Sequence, residues 1–174
     1  MGVSIEPASF PEDTGTIHSL FSGYAASLGI DLTFQSFQDE LESIPGKYAE
    51  AQGGALLIAR TTEPRRSDAQ GSVWLPPSSA IGCVALRRSS DHWCEIKRLY
   101  VVPEARGLNL GDRLVEAIVA QAKSLGYRGM RLDTLPEMLA AQRLYRKYGF
   151  IETEPYYETP LHDTIFMACD LTPP

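Results

Sequence analysis

The residues Arg106-Gly107-Leu108-Asn109-Leu110-Gly111, with Asp112 after them, lie between an apolar run and a segment of helical periodicity. A strand feeding a glycine-bearing loop that opens a helix aims several backbone N–H groups and the positive end of the helix dipole at one point. Such a point is an anion site, usually for phosphate. Arg106 adds a charge-assisted contact. No Gly-Lys-Ser/Thr follows, which excludes a Walker loop, and Gly107 and Gly111 lack the third glycine and the βαβ setting of a dinucleotide fingerprint. From these residues alone, an ordinary tight turn with a helix cap is the alternative. Cys83, Cys94 and Cys169 form no CxxC pair, and His18, His92 and His162 have no ligand spacing. No metal is therefore expected. The cysteines read as buried hydrophobes of a reducing compartment.

The elements that position the loop follow from periodicity. Val3–Ile5 reads as a short strand ended by Pro7. Ile17, Leu20, Phe21, Tyr24, Ala25 and Leu28 mark an amphipathic helix running from Pro11 and stopped by Gly29. Phe34, Phe37, Leu41 and Ile44 suggest a second, shorter helix before Pro45. Strands are expected at Ala55–Ala59, Ile81–Leu86, Trp93–Val102, Met130–Thr134 and Ile165–Leu171. Helices are expected from Leu110 to Gly126 and around Ala141, Leu144, Tyr145 and Tyr148. Residues 61–80, with Pro64, Gly71, Pro76 and Pro77 and no periodic apolar face, read as a long, mobile connection between antiparallel strands. Residues 1–174 form one α/β domain with a mixed, mostly antiparallel sheet and flanking helices.

Sixteen Lys and Arg against 22 Asp and Glu give a net charge of −6, which argues against nucleic acid as a partner. That balance leans slightly towards a cationic ligand, but spread over a whole surface it says little about one pocket. No apolar run is long enough to span a membrane, and the first residues lack a basic-apolar leader, so a cytoplasmic location is expected.

The loop resembles the Arg/Gln-x-x-Gly-x-Gly/Ala acetyl-CoA loop of the GNAT N-acetyltransferase superfamily. Leu99-Tyr100-Val101-Val102-Pro103 looks like that family's central strand, and Ala141-Gln142-Arg143-Leu144-Tyr145-Arg146-Lys147-Tyr148-Gly149-Phe150 like its closing helix and Gly-Phe turn. The match is strong over 81–171 and diffuse before Gly53. Asn109 stands where the family usually has a glycine, a tolerable departure because Asn enters left-handed conformations readily. Met138 stands where many members carry an Asn that fixes the pantetheine arm, so that role is not carried over.

The resemblance implies direct transfer of an acetyl group from acetyl-CoA, as co-substrate, to a primary amine in a ternary complex. The acceptor is a small-molecule or protein amine, and a homodimer is left open. It also implies a central strand pair that splays, freeing main-chain groups along Leu99, Tyr100 and Val101 for the cofactor, whose phosphates rest on residues 106–112. Tyr145 matches the family's general-acid tyrosine, yet it lies on an apolar stripe where aromatics are commonly core. Glu95 and Asp133 are candidate bases, or else carboxylates in ion pairs with Lys97 and Arg98. Arg143, Arg146 and Lys147 face the 3′-phosphate or are a solvated helix face. Tyr156 and Tyr157 line the acceptor pocket or are ordinary strand aromatics. The reading from another class is a catalytically silent acyl-CoA-binding module.

Overall fold

The computed structural model describes residues 2–32, 36–67 and 73–172. The chain runs β1 (Val3–Pro7), α1 (Thr14–Leu28), α2 (Phe37–Glu42), β2 (Ala55–Thr61), β3 (Arg65–Ser67), β4 (Val73–Leu75), β5 (Ala80–Arg88) and β6 (Trp93–Val101). It continues through α3 (Leu110–Ser124), β7 (Gly129–Thr134), α4 (Leu139–Lys147), β8 (Ile151–Glu152) and β9 (Ile165–Asp170). Among the described residues, seven strands form one sheet in the order β1-β2-β5-β6-β7-β9-β8, in which only β6 and β7 run parallel. No helix among the described residues is long and apolar enough to cross a membrane.

Both faces of the sheet are covered, which explains why β2 and β5 read as continuous apolar runs rather than alternations. Leu57, Ala59, Val84 and Leu86 meet Leu110, Leu114, Val115, Ile118 and Ala122 of α3. Leu56, Ile58, Cys83 and Ala85, one residue out of phase, meet Ile17, Leu20 and Phe21 of α1, with Tyr48. Gly82 permits the close approach of α3. A Cβ there would stand 2.8 Å from the Tyr100 carbonyl oxygen and 3.2 Å from Leu114 Cδ1.

Several boundaries differ from the periodicity. The first helix begins at Thr14 rather than Pro11, because residues 10–13 form a turn in which Asp13 Oδ2 accepts the Ser9 N–H at 2.9 Å. In the second helix only Phe37 and Leu41 of the four apolar positions are helical. Ile44 follows the cap at Ser43, and Phe34 lies outside the described residues. The connection from β2 to β5 carries an antiparallel ribbon, β3 with β4, held by backbone pairing that leaves no apolar periodicity to read. β6 ends at Val101, one residue early, and β8 is an addition.

Two irregularities of β6 create the site. Cys83 lies opposite Tyr100 and Ala85 opposite Lys97, so β6 carries one residue more than β5 across this stretch. The bulge centres on Arg98, a non-glycine residue with φ of +57°. On the other edge, β6 pairs with β7 only through Trp93, Cys94 and Glu95, against Gly129, Met130 and Arg131. Beyond that point the two strands diverge while β7 stays paired to β9.

Candidate active site

The divergence of β6 from β7 opens a cleft walled by Lys97, Arg98 and Leu99 of β6, Asp133 and Thr134 of β7, Met138 and Tyr145. The Val102 N–H donates to Ile81 O at 3.0 Å, on the β5 side. N–H groups alternate between the edges of a strand, so those of Val101 and Leu99 point into the unpaired gap. Tyr100 is turned the other way. Its ring packs on α1, where a Cβ on Gly23 would come within 2.9 Å of the Tyr100 hydroxyl. The structure therefore places Leu99 in the cleft wall, turns the Val101 N–H towards the gap and takes the side chain of Tyr100 away from it.

At one end of the cleft lies the glycine loop. Gly107 has φ of +79° with open space where a Cβ would be, so conformation rather than crowding calls for glycine there. Asn109 adopts the left-handed conformation, φ 57° and ψ 23°, as the cap of α3. The first helical hydrogen bond runs from the Arg113 N–H to Asn109 O at 3.3 Å, which leaves the amides of Leu110, Gly111 and Asp112 at a helix N-terminus without helical acceptors. Arg106 is exposed beside them and makes no ion pair among the described residues. Free amides, a helix dipole and a cation fit a phosphate-bearing co-substrate.

The loop's side chains do other things. Leu110 is core, and Leu108 faces a separate cavity with Leu75 and Ile81. Asp112 binds Lys147 Nζ at 2.7 Å and Asn109 Nδ2 at 3.1 Å, which lowers its pKa and ties α3 to α4. Lys147 is thereby occupied, as is Arg146 by Glu152 at 2.7 Å. Arg143 is the member of that basic run with no carboxylate partner among the described residues.

Tyr145 is both core and cleft. It is 6% exposed, and its ring sits 5.8 Å from that of Phe150. Burial first, then the neighbouring Tyr24 and Asp133, raises the phenol well above its usual pKa, so it keeps its proton at neutral pH.

The two candidate bases have unlike settings. Glu95 has a 2% exposed side chain with every acceptor position engaged. Arg87 donates from Nε and Nη2 to Oε2 at 2.7 Å, and Oε1 accepts from the Tyr156 hydroxyl at 2.9 Å with Lys97 Nζ at 3.5 Å. Asp133, 17% exposed, meets Lys97 Nζ at 2.9 Å and stands in the cleft with Tyr145. Lys97 thus pairs with both carboxylates, as its sequence position suggested, whereas Arg98 does not. Tyr156 belongs to this ion cluster, its ring 4.0 Å from the Arg131 guanidinium, and Tyr157, whose phenol feels both Asp133 and Glu95, also lines a neighbouring cavity. None of the cysteines lines the cleft, and burial pushes the Cys94 thiol up to about 12 and Cys83 higher still.

Arg98 pairs instead with Glu40 of α2, 58 residues away, through Nε at 2.8 Å and Nη2 at 3.0 Å. Glu40 also receives Lys47 Nζ at 2.7 Å and the Tyr48 hydroxyl at 2.8 Å. Burial alone would raise this carboxyl, but hydrogen bonds and charge from Arg98 and Lys47 outweigh it and lower the pKa from 4.5 to about 2. Stability from this group is complete above pH 4.5 and is lost as pH falls through about 2. It amounts to on the order of 3 kcal/mol. Acid titration followed by circular dichroism should show that loss in the native chain. In Glu40→Gln the curve should be flatter across the window and the protein less stable at pH 7. An unchanged slope in the variant would remove Glu40 from this role.

A seven-stranded mixed sheet whose central parallel pair parts over a glycine loop defines a class of acyltransferases. The acetyltransferase (GNAT) family model matches residues 35–150, and the chain belongs to that family. Over 98% of its length it is 39% identical to an uncharacterized N-acetyltransferase of Schizosaccharomyces pombe, covering 96% of that protein. A GNAT acetyltransferase from Staphylococcus aureus Mu50 superposes with a TM-score of 0.74 at 19% identity, covering 98% of this chain and 100% of that one. An acetyltransferase from Salmonella typhimurium, solved with its cofactor acetyl-CoA, superposes with a TM-score of 0.68 at 19% identity, covering 99% and 95%. The protein is an acyltransferase.

Proposed function

We propose that the protein transfers the acetyl group of acetyl-CoA directly to a primary amine. The observation that carries this reading is the parting of β6 from β7 after Glu95 and Arg131, which opens a cleft holding Asp133 and Tyr145 beside free strand amides. The acetyl-CoA bound to the similar fold from Salmonella supports the choice of donor.

Acetyl-CoA supplies the acyl thioester. The amides of Leu110, Gly111 and Asp112, with Arg106, hold its pyrophosphate. The Leu99 and Val101 N–H groups hold its carbonyl and pantetheine arm and stabilise the oxyanion that forms on attack. An amine with pKa near 10.4 is neutral in only about one molecule in 2,500 at pH 7, so its proton must be removed. Asp133, oriented by Lys97, receives it, and Glu95 acts as a positioning residue that holds Lys97 from the other side. The N–C bond forms and the C–S bond breaks. Tyr145 gives its proton to the departing sulfur. The second proton that the nitrogen sheds as the amide forms passes through water to Tyr145, and Asp133 releases the first to solvent. The buried, high-pKa cysteines support a mechanism with no acetyl-enzyme.

Thiol release from acetyl-CoA in the presence of a broad amine panel tests the reading. Amine-dependent release with matching N-acetyl product is expected. Tight acetyl-CoA binding with no amine-dependent release across the panel would make the protein a binding module instead.

A further inference from the structure

α3 and α1 cover opposite faces of the sheet, and residues from both sides line the one cleft between β6 and β7. Tyr145 belongs to the α3 side, while Tyr24, Leu28, Ile30 and Leu32 come from α1 and the segment that follows it. The glycine loop opens α3, so a co-substrate seated there enters from that side and leaves the α1 side to the acceptor. Resting on the acetyl-transfer reading above, we propose that the acceptor is a monoamine whose only charge is the reacting amine, and that Leu28, Ile30 and Leu32 select its apolar body.

The charges in the lining support the first half of this. Among the described residues, the charged side chains of the cleft are Lys97, Arg98 and Asp133. Lys97 is 7% exposed and held by Glu95 and Asp133, and Arg98 is 1% exposed and held by Glu40. Both cations already bind carboxylates within the protein, so a carboxylate on the acceptor would have to compete for them. Asp133 is the one carboxylate of the lining among the described residues, and it is given to the reacting amine, so a second ammonium finds no partner there. Asp31, between Ile30 and Leu32, lines a neighbouring groove with Asp39 instead, and Thr33, Phe34 and Gln35 bring no charge.

The α1 wall supports the second half. Leu28 and Ile30 are half-buried and Leu32 is buried, so apolar surface faces the cleft at this end and is not wholly consumed by the core. Burial first raises the Tyr24 phenol, which stays protonated at neutral pH and adds a neutral ring to the same wall. Each methylene of a ligand buried against such a wall adds up to about fourfold in affinity, whereas a charge there sheds water without gaining a partner.

Calorimetric binding to the protein saturated with CoA reads the preference without requiring turnover. The ligands are straight-chain trios of increasing length: a monoamine, the diamine with a second amino group at the far end, and the amino acid with a carboxylate there. Monoamine affinity should rise along the series, and the longest monoamine should bind at least tenfold more tightly than its diamine or amino acid. Leu28→Glu places a carboxylate on the α1 wall and should bring the diamine level with the monoamine or ahead of it. Ile30→Glu makes the same test from the next segment, with circular dichroism to confirm folding. A diamine or amino acid that matches the monoamine in the native protein would overturn the proposal, as would monoamine affinity that does not rise with length. So would a diamine-to-monoamine ratio left unchanged in both folded variants. If none of the ligands provokes thiol release from acetyl-CoA, the acetyl-transfer reading fails, while the binding ratios still decide what the cleft accepts.

Discussion

Tyr145→Phe is expected to lower turnover by on the order of 10² or more, the lower range of a general-acid contribution. The substitution keeps the ring and its packing against Phe150 and deletes only the hydroxyl at the cleft. Acetyl-CoA affinity and thermal stability should change little. Burial, with the neighbouring Tyr24 and Asp133, keeps the phenol protonated at neutral pH, so a proton is lost from the reaction rather than a charge from the fold. An acetyl donor with a better leaving thiol should recover much of the lost rate. Near-normal turnover in the variant would leave Tyr145 as packing. A joint loss of stability and activity would mark the hydroxyl as a structural hydrogen bond.

Gly111→Val is expected to weaken acetyl-CoA binding by tenfold or more while the fold survives. A Cβ at Gly111 meets only Leu144 Cδ2, at 3.5 Å, an ordinary contact with the end of a flexible side chain. The branched methyls, however, add bulk in the first turn of α3, where the proposed pyrophosphate site requires close backbone approach. Asn109→Gly is the control. Asn109 already occupies the left-handed region at φ 57°, so glycine keeps the loop's shape and should bind acetyl-CoA at least as well. Unchanged affinity in folded Gly111→Val, measured by calorimetry with circular dichroism alongside, would detach the loop from the co-substrate.

What was legible in the sequence was local. The conformation of Asn109 follows from its residue type, and α3 follows from the spacing of Leu110, Leu114, Ile118 and Ala122. What was not legible depends on pairs distant in sequence. The bulge at Arg98 places a non-glycine residue at positive φ, and the partner that meets its side chain, Glu40, comes from a helix 58 residues away. Glu95 offers itself as a base until its cross-strand neighbour Arg87 is seen in register with it. Lys47 and Arg87, which hold the buried carboxylates of Glu40 and Glu95, carry no motif at all. The dual character of Tyr145 stayed unresolved for a different reason: a residue on an apolar stripe can also line a cleft, and only the parting of β6 from β7 distinguishes the cases.

The fate of the acetyl carbon tests direct transfer most simply. Acetyl-CoA labelled with ¹³C at the carbonyl, mixed with the protein and an accepted amine, should show its thioester carbonyl resonance replaced by an amide resonance on the small molecule. Mass spectrometry of the protein quenched during turnover should find no acetyl adduct. A label that stays in the thioester with every amine, or that accumulates on the protein before reaching the amine, would contradict direct transfer.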